Sequence, residues 1–170
     1  MPVLDPSWFA AVEPQTLPEP LRALIAAAAP PSLGAGPRDA ALAQALTTRA
    51  ACVAHLPQSA LAGLWLLAGD LDASHEISQA LSDRTGSFWH GIMHRREGDF
   101  GNAKYWFHRV GRHPVLAQLA ETPYGDPADF VDACQAAIRG KRASNPDATS
   151  DTLEQLQWLE WQLLFAHCLR

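Results

Sequence analysis

Residues 87–114 read SFWHGIMHRREGDFGNAKYWFHRVGRHP, and the fold turns on how this stretch is divided. Gly98 splits it into two helical patterns, 87–97 and 102–110, the second closed by Gly111 and barred from continuing by Pro114. Phe88, Trp89, Ile92 and Met93 make the first helix apolar over most of its circumference, so it belongs in an interior. In the second, Ala103, Trp106, Phe107 and Val110 share one stripe and Tyr105, His108, Arg109 and Arg112 the other, the pattern of a helix with a core face and an outer face. Two antiparallel helices joined by a short glycine turn are therefore expected, the unit of an all-α protein.

Working outward, 30 Ala and 22 Leu against 6 Val and 4 Ile leave little material for a sheet. Helices are expected at 38–56, stopped by Pro57, at 60–68 with Ser59 as N-cap, at 72–81, at 115–121, from the Asp126-Pro127 cap to before Gly140, and at 152–169. The last carries Leu153, Leu156, Leu159, Leu163 and Leu164 on one stripe, after a polar linker at 143–151. Residues 1–37 hold more than half of the 13 prolines and read as an arm with short helices at 7–12 and 18–29, broken by PPSLGAGP at 30–37. The expected organisation is thus an N-terminal arm over 1–37 and a single all-helical domain over 38–170, an irregular bundle of antiparallel hairpins.

A chain of 170 residues with formal charge −5, 48% hydrophobic and 18% charged, can bury a core without metal or disulfide staples. That charge argues against general nucleic-acid binding, and no apolar run reaches the roughly 18 residues of a membrane span. MPVLDPSWFA lacks the basic and apolar regions of a secretion signal, so the expected address is the cytoplasm. Cys52, Cys134 and Cys168 form no CxxC and are expected to be small apolar residues rather than a disulfide framework.

The chemistry concentrates where the helices were divided. Residues 90–113 hold four of the seven histidines, His90, His94, His108 and His113, and a formal charge of +3, leaving −8 on the remainder. On a helix His90, His94 and Glu97 lie within about 60° of one another, so two imidazoles and a carboxylate converge on one side. Such a donor set suits zinc, iron or manganese, and His75 on the preceding helix adds a fourth ligand if the helices pack. The metal expectation is therefore His75, His90, His94 and Glu97, with His90, His94 and Glu97 as acid, base or ligands. Asn102, Tyr105 and Arg109, at i, i+3 and i+7, would present an amide, a phenol and a guanidinium to a polar or anionic small molecule. The bland counterpart is a solvated face with an ordinary His94–Glu97 pair. Arg96, on the apolar side, is expected to stack on Trp89 or pair with Glu76.

Two resemblances bear on residues 60–114. Gly69-Asp70-Leu71-Asp72-Ala73 and Gly98-Asp99-Phe100-Gly101-Asn102-Ala103 open successive helices about thirty residues apart. With Gly91, Phe107, Val110 and Pro114, they resemble the small, aromatic and terminal-proline positions of tetratricopeptide hairpins. The strings WHGIMHRRE at 89–97 and NAKYWFHRVGRHP at 102–114, with EWQLLF at 160–165, are similar to the hallmark segments of a family of small, uncharacterised helical proteins of bacteria and fungi. That resemblance implies a small helical domain and carries no substrate.

No GxxxxGK[ST], GxGxxG or GxSxG occurs, which removes phosphate-loop and serine-elbow chemistry. Trp65, Trp158 and Trp161 sit at core-like helical positions, and Arg139–Arg142 read as a basic helix end. The expected function is a small-molecule-binding protein, a metal-dependent enzyme in its sharper form. The alternative is a tetratricopeptide-like protein-interaction module without catalysis. A third reading makes the histidine cluster an internal polar network that only fixes packing. A monomer or homodimer is compatible with all three.

Overall fold

The computed structural model describes residues 17–140 and 149–170. Among them are nine helices and no strand, as the Ala- and Leu-rich composition predicts: α1 (Glu19–Ala27), α2 (Ala40–Thr47), α3 (Gln58–Leu67), α4 (Leu71–Ala80), α5 (Arg84–Glu97), α6 (Phe100–Val110), α7 (Pro114–Leu119), α8 (Pro127–Ile138) and α9 (Ser150–Cys168). The helix expected at 7–12 lies outside the described residues, as does most of the 143–151 linker.

Local chemistry places most of these starts. Asp39, Asp70, Asp83, Asp99 and Asp126 each accept a backbone N–H of the first turn, so five helices open on an aspartate cap. Each such cap stabilises its helix by about 1 kcal/mol. The stop between α5 and α6 is Gly98, whose φ of 95° is left-handed, and the Asp99 N–H returns to the His94 carbonyl. The chain therefore reverses in two residues, and α5 and α6 lie against each other along their length.

One length and several starts differ from the sequence reading. The helix expected over 38–56 ends at Thr47, because Arg49 turns left-handed at φ 47° and the Ala50 N–H closes back on Ala45. Helix α3 opens on Pro57 rather than Ser59, its first bond running from the Leu61 N–H to the Pro57 carbonyl. α5 begins three residues before Ser87, on the Asp83 cap.

Packing follows from two interior helices. Residues Gly86–Arg96 of α5 are all buried, and α9 is buried over most of its second half. Glycines let the neighbours approach: a Cβ on Gly91 would stand 3.1 Å from the Phe107 ring, and one on Gly63 would stand 2.7 Å from the Trp89 ring. Close to that second crossing, the Trp161 indole donates to the Gly63 carbonyl at 2.7 Å. No helix among the described residues is long and apolar enough to cross a membrane.

Because α5 is enclosed on all sides, its polar residues need partners inside the protein. Arg95, fully buried, pairs with Glu160 of α9 and donates to Gln157 Oε1 at 3.2 Å. Tyr124 donates to the same Glu160 at 2.6 Å, and the Phe130 ring lies 4.8 Å from the Arg95 guanidinium. Burial alone would lower the Arg95 pKa, but the Glu160 carboxylate outweighs it and keeps the guanidinium charged.

Arg96 corrects the sequence reading. Instead of stacking on Trp89 or meeting Glu76, it donates to the backbone carbonyls of Leu66, Gly34 at 3.2 Å and Ala35 at 2.9 Å. Gln157 holds the same strap through Pro31 and Ser32, at 3.0 and 2.9 Å. The Pro/Gly stretch before α2 is thus fastened across α5 and α9 by side chains 60 or more residues away, a pairing no local pattern encodes.

Candidate metal centre

Three antiparallel helices build the site. α4 supplies His75, α5 supplies His90 and His94 one turn apart, and the α5–α6 reversal brings Asn102 and Trp106 alongside. One ring nitrogen from each of His75, His90 and His94 lies within 4.8 Å of the other two. The rings stand at centroid distances of 4.7 Å (His75–His90), 5.4 Å (His75–His94) and 4.7 Å (His90–His94). His75 is half-buried, and the other two are buried.

His90 occupies the least satisfied position. Only 3% exposed, it stacks on Trp106 at 3.9 Å and nearly parallel to His94. Its Nδ1 is buried with no hydrogen-bond partner among the described residues. Burial first, then the neighbouring His94 and His75, lower its pKa to about 4, so it is neutral at physiological pH and keeps a lone pair.

His94 is held at both ring nitrogens. Its Nδ1 bonds Glu97 Oε1, and the Asn102 side-chain amide lies 3.1 Å from Nε2. With the Nδ1 proton directed at the carboxylate, Nε2 carries the lone pair and accepts from Asn102. A carboxylate on the far nitrogen of an imidazole orients the ring and raises its basicity, the arrangement found behind metal-ligating histidines.

The predicted site residues thus separate into three places. His75, His90 and His94 converge. Glu97 sits on the other side of His94, where it and Asp99 form a second, exposed grouping around that imidazole. Tyr105, 53% exposed, and the exposed Arg109 face outward on α6. They meet each other at 3.4 Å, and the Arg109 guanidinium stands 5.3 Å from the Trp106 ring. Of the other histidines in the segment, His108 is exposed, while His113 caps α7 by accepting the Val115 N–H at 3.2 Å. Burial, then His167, lowers the His113 pKa to about 4 as well.

Sequence reasoning missed two contributors. Trp106 was assigned to the core stripe, yet it is half-buried and floors His90. Asn102 was grouped with Tyr105 and Arg109, yet it reaches His94. The signal was present: residues eight apart across a two-residue reversal face each other at the end of a hairpin. A cavity of about 330 Å³ lined by Leu46, Val53, Leu56, Trp65 and Ile77 contains none of the predicted site residues.

No protein-family model, curated protein or solved structure matches this chain. The functional reading therefore rests on the site itself.

Proposed function

We propose that the protein binds one divalent metal ion, zinc by best fit, through His75, His90 and His94, and acts with it on a polar or anionic small molecule. The observation that carries this reading is the convergence of three imidazoles around a buried, uncharged His90 whose Nδ1 has no partner. Zinc–nitrogen bonds of about 2.0–2.1 Å place the ligands of a tetrahedral site roughly 3.3 Å apart. Nitrogens already within 4.8 Å need only small side-chain movements to reach that spacing. Among the described residues no carboxylate joins all three imidazoles, a donor set that favours zinc over manganese and would leave a fourth position for water or a substrate oxygen.

The protein residues then have separable tasks. Glu97 fixes the His94 tautomer, Trp106 holds the His90 ring, and α4 closes the set with His75. Lewis-acid activation of water or of a carbonyl is the chemistry a zinc ion supplies in such a position. Tyr105 and Arg109, packed against Trp106, offer outward-facing donors to an anionic group.

The second reading is an interaction module built from the α3–α4 and α5–α6 hairpins. The close crossings at Gly63 and Gly91 favour it, since tetratricopeptide-like packing needs small residues there. Elemental analysis of untagged protein purified without chelator separates the two, run beside a His90→Ala/His94→Ala variant whose helicity is checked by circular dichroism. One ion per chain in the parent and none in the variant is the expected result. Absence of metal from the parent, with no uptake of zinc, iron or manganese, sinks the metal reading and leaves the module.

A further inference from the structure

The Asn102 amide occupies the very lone pair that a metal needs. His94 directs its Nδ1 at Glu97, so Nε2 is the nitrogen left to coordinate, and the Asn102 side-chain nitrogen stands 3.1 Å from it. A metal ion and an N–H donor cannot share one imidazole lone pair. When the ion binds, Asn102 loses this partner while its backbone stays anchored, since its own N–H remains on the Asp99 carboxylate at 3.1 Å. The freed amide is then tethered beside the first coordination shell, half-buried, with two N–H donors to satisfy.

We propose that Asn102 is the ligand-recognition residue of this centre: it caps the His94 lone pair in the metal-free protein and, once displaced, donates to the oxygen ligand that fills the open position. The inference rests on the metal reading and names the class of ligand, a molecule that offers the metal a carbonyl, carboxylate or hydroxamate oxygen. Of the polar side chains near the histidines on α5 and α6, Asn102 suits this donor role: Tyr105 and Arg109 are exposed on the outer side of α6, and Glu97 is an acceptor already used by His94. An oxygen ligand on the metal is electron-rich and has a lone pair to spare, so an amide N–H beside it gains a charge-assisted bond.

Two opposite effects follow from one substitution, which sets this role apart from a merely structural one. Asn102→Leu keeps the branched shape, slightly enlarged, and removes both donors, and Asn102→Ala removes the bulk as well. Zinc binding by the full chain is measured by calorimetric titration, followed by titration of acetohydroxamate into the zinc-loaded protein. Both variants are first checked by circular dichroism and thermal melting. Loss of the competing bond is expected to tighten zinc about fivefold in each variant, the size of one neutral hydrogen bond. Loss of the donor is expected to weaken acetohydroxamate about ten- to a hundredfold, on the scale of one bond to an anionic acceptor.

Zinc affinity that is unchanged or lower in folded variants overturns the proposal, as does undiminished hydroxamate binding. A parent that takes up no zinc overturns the metal reading itself, and this role with it. A parent that binds zinc while the variants behave like it defeats the Asn102 role alone.

Discussion

Neighbouring residues of α5 serve two polar clusters that differ in one respect. Arg95 points into a cluster in which Glu160, Tyr124 and Gln157 answer one another, and of that cluster's side-chain atoms only Arg95 Nε lacks a partner among the described residues. His90 and His94 point into a cluster of three imidazoles in which His90 Nδ1 is orphaned and the His94 lone pair is held by an amide alone. A closed network with matched charge fixes helix packing, whereas a cluster rich in lone pairs and short of donors is prepared for something that accepts them. The comparison teaches that burial of polar residues on one helix has to be judged by what satisfies each group.

The largest test removes charge balance from the first cluster. Glu160→Ala strands Arg95 in the core and is expected to cost about 3–5 kcal/mol in chemical denaturation. Should it cost no more than a surface substitution, the closed-network description fails.

Acid acts on the second cluster and on His113 in the same direction. His90 and His113 each have a pKa lowered to about 4, against an unfolded value near 6.5. The unfolded chain takes up protons first as pH falls. The stability these groups contribute is therefore complete above about pH 6.5 and is lost as pH drops toward 4, on the order of 3 kcal/mol apiece. Denaturation midpoints at pH 7.5, 5.5 and 4.5 check this. His113→Asn is expected to remove part of the slope and leave zinc uptake intact, while His90→Asn removes a similar part of the slope together with the uptake.

Ligation gives the next effect. Zinc at a hundred times its dissociation constant is expected to stabilise the parent by about 2.7 kcal/mol. The increment should persist in Glu160→Gln, despite a lower starting stability, and vanish in His90→Ala/His94→Ala. Its survival in the double variant would place the ion elsewhere.

The smallest effect is expected at the rim. Tyr105→Phe and Arg109→Met, on the exposed side of α6, should each change stability by no more than about 0.5 kcal/mol. A loss above about 1.5 kcal/mol in either would make the Tyr105–Arg109 pair part of the packing rather than an outer face.

Much of this architecture is legible before any tertiary contact is known. Aspartate caps at Asp70, Asp99 and Asp126, the glycine stop at Gly98 and the proline at Pro114 are local signals, and local backbone hydrogen bonds honour them. The 38–56 helix was misjudged because nothing in its composition announces the left-handed turn at Arg49. The placing of His90 beside His94 was equally local, set by the pitch of one helix.

Composition and helical period by themselves determined that this chain is all-helical, where its hairpin reverses, and that two histidines and a carboxylate share one side of α5. Only the tertiary structure decided which of them face the same point. It set His75 against that pair, laid Trp106 beneath His90, brought Asn102 to His94 and committed Arg96 to the 31–36 strap. The physical reason is range: caps and periodicity act within a turn or two of backbone. The partner of a buried polar group is chosen by whichever distant element packs against it, and no single helix encodes that choice.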